Sequence, residues 1–426
     1  MRKLKSLLCL FIIFTVLFAT ACGVVSGTGG DGLPDIVYVR TSAFGNASGS
    51  SWNNAMGNLQ EAIEFAANPV NGKNYVFVLG GKYLPSDKPN ISPGTADNRE
   101  KHFSLRNNVT VIGGFKGDEV GYEPSLSSSA TLLSGNIDDS EEDENGIDSN
   151  TINNAYHVFY HPSSMIVKLN ETAVLKNVTI TGGNANAGSG DHERGGGMYN
   201  NSNKPKLIDC TFEGNRAQYG GGVFNYYDSN AIFVNCTFIK NETTTNGGGM
   251  ANDSSSPTIT NCTFIGNTTQ AYGGGLINWN ICNTIITNCT FSANIVTGYS
   301  GGGIQNSNNS VSIRGTIIVG NTAPTNSEIN STYTDGGSNL IGNASNTVTA
   351  IFADVESGKA VPKDNGGPTK TVMIKSGGPA HNKILESSWK TWYDVTDLST
   401  ITDQRGKPRF VGTGGDIGSV ELQAGE

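Results

Sequence analysis

The sequence predicts an all-β fold, a right-handed parallel β-helix, from three observations. A glycine triplet followed by an apolar residue recurs at steps of 25, 27, 26 and 28 residues, beginning at Gly195, Gly220, Gly247, Gly273 and Gly301. A Cys-Thr-Phe phrase alternates with it, beginning at Cys210, Cys236, Cys262 and Cys289. Each repeat also holds three apolar patches, all shorter than a typical helix of ~10–14 residues. Fixed-period repetition of this kind is typical of solenoids, in which each unit buries its apolar face against its neighbours.

The repeat columns predict which side chains enter the interior. The apolar columns place Phe264 between Phe238 and Phe291, with Thr263 pointing outward, so that replacing Thr263 by Ala should cost little stability. The cysteines share the side of the phenylalanines, which indicates small buried side chains rather than metal ligands or disulfides; Cys282 lies off this column and is expected to be free. An asparagine or aspartate before each Cys-Thr-Phe phrase indicates a corner in the left-handed conformation, where stacked side chains hydrogen-bond between coils. The glycine triplets predict turns with positive φ or close approach between coils.

The chain begins with a predicted lipoprotein signal peptide, residues 1–21. Arg2, Lys3 and Lys5 precede an apolar run that is too short for a membrane span of ~20 residues. Ala19-Thr20-Ala21-Cys22 resembles a bacterial lipobox, which implies lipid attachment at Cys22; an ordinary export signal cleaved nearby is the alternative. Residues 22–34 then form a predicted flexible tether. Loss of the leader changes the net charge from −9 to −12, which argues against nucleic acid as a partner.

Residues 35–125 form a predicted N-terminal cap with the first coils. A β-branched run at residues 36–40 indicates a strand. Residues 59–67 have apolar side chains at helical spacing, and we expect this to be the one substantial helix of the chain. Such a helix would cover the open end of the coil and protect the strand edges there.

Residues 126–345 form the predicted β-helix repeats, with two polar insertions. The first is an acidic cluster that is a calcium candidate but, as a run of like charges, is also typical of a solvated loop: Asp138, Asp139, Glu141, Glu142, Asp143 and Glu144. The second, residues 185–194, contains Asp191-His192-Glu193-Arg194 and is interpreted as a surface loop, with a site as the alternative. No confident metal site and no other cofactor are predicted.

Residues 346–426 leave the repeat and are predicted to form a C-terminal cap or anchor-type module. Turn-dense phrases such as Asp364-Asn365-Gly366-Gly367-Pro368 alternate with short strands.

The repeats and the tail resemble known families. Phe-x-x-Asn alternating with Gly-Gly-Gly-hydrophobic, as in Phe212 to Asn215, resembles the repeats of chlamydial-type polymorphic outer membrane proteins. That resemblance implies a surface β-helix used in adhesion, although we do not expect the membrane barrel of that family in this sequence, so self-export through a barrel is not implied. The tail is similar to the choice-of-anchor Q module of bacterial surface β-helix proteins. Neither resemblance implies a catalytic residue.

Two functions follow as hypotheses. The first is a lipid-anchored bacterial outer-membrane or cell-surface protein for adhesion or ligand binding, with a host or matrix protein or a glycan as partner. The second is a polysaccharide lyase or glycoside hydrolase, by analogy with other β-helices. No histidine precedes a glycine and no Arg-Ile-Lys occurs, contrary to the pectin-hydrolase pattern, so non-catalytic binding is favoured. Loops that follow one strand in successive coils bring Tyr226, Tyr227 and Trp279 to one side as possible ligand contacts.

Overall fold

The computed structural model describes residues 35–89, 97–119, 121–124, 130–137, 153–307, 311–393, 395, 398–411 and 414–426. Within these residues the chain is a parallel β-helix, in which successive coils add strands in register to three long sheets. The predicted fold class is therefore confirmed.

Sheets 1 and 2 form two sides of each coil. Sheet 1 contains Ile36–Val39, Tyr75–Leu79, Thr110–Phe115, Val174–Lys176, Lys206–Ile208, Ile232–Val234, Thr258–Thr260, Ile285–Thr287, Ser312–Arg314 and Thr334–Asp335. Sheet 2 contains Gly81–Tyr83, Thr131–Ser134, Thr179–Thr181, Thr211–Glu213, Thr237–Ile239, Thr263–Ile265, Thr290–Ser292, Ile317–Ile318 and Leu340–Ile341.

Sheet 3 forms the third side, and a short fourth sheet lies between sheets 2 and 3. Sheet 3 contains Phe159–His161, Met198–Asn201, Val223–Tyr226, Met250–Asp253, Leu276–Trp279, Ile304–Asn306 and Ile329–Asn330. The short sheet contains Asn184–Ala185, Arg216–Tyr219, Glu242–Asn246, Thr268–Thr269 and Ile295–Val296. The sequence predicts three strands per coil and misses this one, because its strands are short and share no apolar column: one is Glu-Thr-Thr-Thr-Asn and another is Ile-Val.

The interior is built from the predicted columns. Phe264 stacks between Phe238 and Phe291, with ring centroids 4.4 and 4.5 Å apart and nearly parallel planes. The column cysteines are fully buried, and none of the described cysteines forms a disulfide. Both predictions are confirmed, and the stacking explains why each coil repeats the same side chain at the same position.

Two corners take the conformations that the sequence indicates. Asp209, Asn235, Asn261 and Asn288 have φ between 53° and 56°, in the left-handed region that asparagine tolerates. The first glycine of each triplet has positive φ, as at Gly195 with 67°. The second and third glycines allow close approach, since a Cβ atom there would lie within about 2.1–2.7 Å of a backbone oxygen of the next coil.

Two asparagine ladders run inside the coils. In one, each side-chain amide donates to the carbonyl oxygen of the next, at 3.1, 3.0, 2.9 and 2.8 Å along Asn215, Asn241, Asn267, Asn294 and Asn321. The other comprises Asn200, Asn225, Asn252, Asn278 and Asn306, with bonds of 2.9–3.0 Å. Because each buried amide finds a partner in the coil above or below, polar side chains are tolerated in the core.

Helix α1 (Leu59–Ala67) packs at the start of the coil. Asn58 caps it by accepting a hydrogen bond from the backbone N–H of Glu61 at 3.2 Å. Its buried face, including Leu59 and Ile63, belongs to the same apolar cluster as Val37 and Val76 of the first two strands. The helix therefore occupies the capping position that the sequence predicts. Single-turn helices flank it or follow it at Trp52–Asn54, Pro69–Asn71, Asn98–Glu100 and Asp191–Glu193.

Residues 346–426 lie along the outer face of sheet 2. This C-terminal segment contains α2 (Val348–Ile351), α3 (Glu386–Tyr393) and two antiparallel pairs, Val355–Glu356 with Lys359–Ala360 and Phe410–Val411 with Gly414–Gly415. The prediction of one substantial helix is wrong, because α3 is an eight-residue second one. Its Trp389 packs in an apolar cluster with outward-facing residues of sheet 2, Ile265 among them. No helix in the described part of the chain is long and apolar enough to cross a membrane.

The outward direction predicted for Thr263 is confirmed, as the alternation requires. The side chain does not reach solvent, however, because it is fully buried under the C-terminal segment. Its hydroxyl donates to Gln404 Oε1 at 2.7 Å and lies 2.9 Å from Ser419 Oγ. The strand pattern alone indicates the direction of a side chain, and a segment about 140 residues away decides whether water reaches it.

A candidate ligand groove on sheet 3

A row of outward-facing side chains runs up sheet 3 and forms the floor of a groove. Parallel pairing in register aligns Tyr160, Tyr199, Phe224, Ala251, Ile277 and Gln305. They face outward because the preceding residue of each strand, such as Met198 or Val223, is a core residue. This arrangement places mostly aromatic and aliphatic side chains on an outer face of the coil.

Two further rows form the walls of the groove. On one side lies the residue that precedes each glycine triplet: Arg194, Tyr219, Asn246 and Tyr272. On the other side lie Asp253, Trp279 and Ser307, at or just after the ends of sheet 3 strands. Strand pairing places Tyr226 beside Asp253 in the same row, just beyond the cavity. The cavity between them has a volume of about 550 Å³. Its long direction follows the stacking of the coils, since every row is a ladder between coils.

The Trp279 side chain extends across the groove and contacts its floor rather than projecting into solvent. Its ring centroid is 5.7 Å from that of Phe224 and 6.1 Å from that of Tyr219, both at steep interplanar angles. The coil between that of Phe224 and that of Trp279 contributes Ala251 to the floor, and this residue is fully buried. A small side chain there leaves the space that the indole occupies, so the floor and both walls contribute aromatic rings to one surface.

Two charged side chains line the groove. The guanidinium carbon of Arg194 lies 5.6 Å from the ring centroid of Phe224 and 5.5 Å from that of Tyr226. It also pairs with the carboxylate of Glu193 at 3.1 Å. Asp253 accepts hydrogen bonds from Ser254 and Asn280. The groove is thus electrically balanced, with one cation held over aromatic faces and one anion in the opposite wall.

The insertion at residues 185–194 closes one end of the groove. The hydroxyls of Tyr160 and Tyr199 donate to the two carboxylate oxygens of Asp191, at 2.9 and 2.7 Å. Burial, and then the charge of Asp191, raises the pKa of both tyrosines, so they remain protonated donors. The insertion is therefore fastened to the end of the floor, which places Arg194 at the groove.

A contact between two histidines also holds this insertion against the coil: His157 belongs to the coil and His192 to the insertion. His157 Nδ1 lies 3.0 Å from the carbonyl oxygen of Gly195, and its Nε2 lies 3.0 Å from His192 Nδ1. Burial holds the pKa of His157 well below its usual value, so this ring is neutral and accepts at Nε2. His192 stacks on Tyr156 with centroids 4.5 Å apart. These contacts anchor the segment that the sequence analysis interpreted as a surface loop.

The three aromatic residues predicted as ligand contacts have different positions. Trp279 is half-buried and lines one wall of the groove. Tyr226 is also half-buried and is aligned with Asp253 by strand pairing, but it does not line the cavity. Tyr227 is 64% exposed and also lies outside the lining. The loops do follow one strand as a ladder, since Tyr227 N donates to Asp253 O at 3.0 Å. Cys22 and the acidic calcium candidates at residues 138–144 lie outside the described residues. Elsewhere, in the parts that the structure describes, no three His, Cys, Asp or Glu side chains form a metal-binding group.

The residues predicted from the sequence as ligand contacts do not include Tyr219, Phe224, Asn246 or Tyr272. A signal for them was present in the repeat, because each occupies a fixed position relative to a glycine triplet, just before it or two residues after its last glycine. The residues that precede the five triplets are Arg, Tyr, Asn, Tyr and Ser. Variable residues at a fixed repeat position, two of them aromatic, indicate an exposed ladder rather than a core column.

A second cavity, of about 360 Å³, lies between the coil and the C-terminal segment, beside Lys176, Asp209, Thr211 and Lys370. Lys176 pairs with Glu123 at 2.7 Å. Burial raises the pKa of Asp209 to about 6, although a hydrogen bond from Asn235 and the charge of Lys176 oppose the shift. With its mixed charges and few aromatic side chains, this cavity is a weaker candidate for a ligand site than the groove.

Comparison with known proteins agrees with this architecture. The family model described as "Right handed beta helix region" matches residues 136–349, half of the chain. The chain belongs to this right-handed β-helix family. Among solved structures, the crystal structure of pectate lyase Pel9A is similar, with a TM-score of 0.40 and 14% identity over 91% of this chain and 96% of that chain. No curated protein matches the sequence.

Proposed function

We propose that this β-helix is a lipid-anchored surface protein that binds a glycan chain along the sheet 3 groove without cleaving it, in adhesion or a related attachment role. The observation that carries the proposal is the continuous groove itself. Phe224 on its floor, Tyr219 and Tyr272 in one wall and Trp279 in the other present aromatic rings to the same space. Aromatic faces stack on the apolar faces of sugar rings, while polar edges leave sugar hydroxyls solvated.

The repeat geometry suits a polymeric ligand. Successive coils are stacked at the strand spacing of ~4.8 Å, which is similar to the advance per unit of an extended glycan. A chain that lies parallel to the stacking direction would therefore meet one floor side chain per sugar. A groove of about 550 Å³ also falls within the usual size range of ligand sites, ~300–1,000 Å³.

The small number of carboxylates that line the groove favours glycan binding over glycan cleavage, and the net charge of the chain argues against a nucleic-acid ligand. Asp253 is the one carboxylate among the lining residues that the structure describes. Glycoside hydrolases typically use two carboxyl groups that flank the scissile bond. The net charge of −9 for the whole chain opposes binding of nucleic acid.

The first test is binding of a glycan panel to the mature chain and to two aromatic variants. Trp279→Ala removes a ring that contacts the floor and both sides of the groove, so affinity for the bound glycan is expected to fall at least about tenfold. Tyr227→Ala is the matched control, since this ring is exposed outside the lining and its loss should leave affinity unchanged. Calorimetry or biolayer interferometry measures both, with melting temperatures to verify folding. Equal losses for the two variants, or no binding to any glycan, would contradict the proposal.

The second test is cleavage. We expect no product from uronic-acid or neutral polysaccharides, with or without calcium, because the groove lining contains a single carboxylate. Release of unsaturated sugars in the presence of calcium would replace the binding proposal with a lyase. It would also turn attention to residues 138–144 and to Asp191.

The lipid anchor is tested separately. If Cys22 carries lipid, Cys22→Ser should move the protein from the detergent phase to the aqueous phase of cell extracts. The parent protein labelled with a fatty-acid analogue serves as the positive control. Detergent partitioning that is the same for both proteins would show that another feature retains the chain at the membrane.

A further inference from the structure

We propose that acid releases the insertion at residues 185–194 from the coil, with the buried ring of His157 as the group that takes up the proton. This inference goes beyond glycan binding, since it concerns how firmly one end of the groove is held. It derives from the hydrogen bond between two histidine rings and from the charged groups that surround them.

The hydrogen bond between the two rings has room for one proton. His157 Nδ1 lies 3.0 Å from the carbonyl oxygen of Gly195, which can only accept, so this nitrogen carries an N–H. His157 Nε2 and His192 Nδ1 lie 3.0 Å apart, and one of them must donate while the other accepts. If both rings were fully protonated, two N–H groups on two cations would face each other. The pair therefore holds one additional proton but not two while the insertion is in place.

The groups around the pair favour a first additional proton on His192 only. His192 Nε2 lies 3.8 Å from Glu100 Oε1, so a proton there forms an ion pair. His157 is 2% exposed, and no carboxylate of the described residues forms an ion pair with it. The other titratable groups that face the two rings come from the turn before Glu100, from the coil, from the next strand and from the insertion: Asp97, Arg99, His102, Tyr156, Tyr160, Tyr199 and Asp191.

The count of protons gives the direction of the pH effect. Two histidines in water take up two protons with a pKa of ~6.5, whereas the held pair takes up one at most. Burial lowers the pKa of His192 and holds that of His157 well below its usual value, which acts in the same direction. The held state is therefore favoured above about pH 6.5 and loses stability as the pH falls. A difference of one proton raises the ratio of released to held insertion about 30-fold between pH 7.5 and pH 5.

The remaining contacts of the insertion do not involve a histidine side chain. Asp191 accepts hydrogen bonds from Tyr160 and Tyr199, and Gln218 Nε2 donates to the carbonyl oxygen of Ala187 at 2.5 Å. These bonds resist release at either pH, so acid raises the population of the released state without removing the insertion outright. Because the last residue of the insertion, Arg194, lines the groove, each release opens one end of the groove.

Hydrogen exchange of the full mature protein tests the inference. The backbone N–H groups of Ala187 and Arg194 donate to His192 O at 3.1 Å and to Asp191 O at 3.0 Å, so they exchange when the insertion opens. We expect their protection, corrected for the intrinsic effect of pH on exchange, to be about 30-fold lower at pH 5 than at pH 7.5. The N–H of Ala271, bonded to Thr245 O at 2.9 Å in a later coil, is the internal control and should change by less than about threefold.

Three variants identify the group that responds. His157→Gln can donate to Gly195 and accept from His192 but cannot take up a proton, so the change in protection should fall to about threefold or less. His381→Gln is the matched control, because it makes the same substitution in the C-terminal segment, and it should retain the full response. Asp191→Asn weakens the tyrosine contacts, so protection should fall by a similar factor at both pH values.

The outcomes decide the inference without a ligand. Equal protection at the two pH values in the parent protein, or a response that survives His157→Gln, would overturn it. If His157→Gln does not fold, the imidazole resonances of His157 in the parent protein decide. They should remain those of a neutral ring at pH 5.5, and a titration with a midpoint at about 6.5 would overturn the inference. None of these results depends on whether a glycan binds, so the glycan panel tests the proposed function separately.

Discussion

Asp209 shows how a single residue departs from its column. The equivalent corner positions of later coils are asparagines, and all share the left-handed conformation. Asn235 donates to Asp209 Oδ1 at 3.0 Å, as one asparagine donates to another in the next coil. Asp209 retains the acceptor but adds a carboxyl group whose ionised form is penalised by burial.

The pKa of Asp209 predicts a pH-dependent loss of stability. Burial raises its pKa in the folded protein from 3.8 to about 6. Below about pH 4 the Asp209 carboxyl is mainly protonated in the folded and in the unfolded protein, so its burial does not reduce the free energy of unfolding. As the pH rises through 6, the folded protein must bury a charged carboxylate, and the free energy of unfolding falls. Asp209→Asn should therefore stabilise the protein at pH 8 by about 1–3 kcal/mol and leave it unchanged near pH 3.5. Denaturant unfolding at both values measures this, and an equal effect at the two would contradict the pKa shift.

At the scale of the element, the phenylalanine stack and the threonine row of sheet 2 test the assigned faces. Phe264→Ala removes a ring held between two others and should destabilise the protein by about 3–5 kcal/mol. Thr263→Ala breaks hydrogen bonds to Gln404 and Ser419, so we expect a loss of about 1–2 kcal/mol.

Thr179 is the matched control for Thr263. It occupies the same outward row of sheet 2, three strands earlier. Its side chain lines the second cavity and is only half-buried, whereas Thr263 is fully buried. Thr179→Ala should change the free energy of unfolding by less than about 0.5 kcal/mol. Thermal melts of the three variants give the comparison, and equal shifts for Thr179→Ala and Thr263→Ala would contradict burial of Thr263 by the segment.

At the scale of the whole molecule, the C-terminal segment is bonded to the coil through Gln404. Its amide donates to Thr237 Oγ1 at 2.6 Å and to Thr369 Oγ1 at 2.9 Å, and its oxygen accepts from Thr263 at 2.7 Å. This one side chain therefore joins two coils to each other and to the loop of the segment that contains Thr369. Apolar contacts from Trp389 and Ile384 add to the same interface.

Loss of the Gln404 side chain should loosen the segment before the coil unfolds. Gln404→Ala leaves buried hydroxyls with fewer partners, so we expect faster proteolysis within residues 346–426 and a destabilisation of about 1–3 kcal/mol. Gln423→Ala is the control, because that amide bonds only to Pro408 and Glu421 within the segment. Limited proteolysis followed by mass spectrometry locates the cuts. Protection equal to that of the parent protein would show that the apolar contacts alone hold the segment.

The sequence by itself determined the architecture of the repeats. A period of about 26 residues, with Phe264 and its equivalents at one fixed position, is sufficient because each coil contacts only its neighbours and repeats the same local geometry. The corner asparagines and the first glycine of each triplet were also predictable, since their conformations depend on local sterics.

Only the tertiary structure decided what covers the outer faces. Thr263 and Tyr227 both point away from the core, yet one is fully buried and the other is 64% exposed. The difference depends on whether a distant, non-repetitive segment packs over the strand, and no periodicity encodes that contact. For the same reason the groove emerged only in the structure: Arg194, Tyr219 and Trp279 belong to different coils and meet because parallel pairing in register brings them side by side.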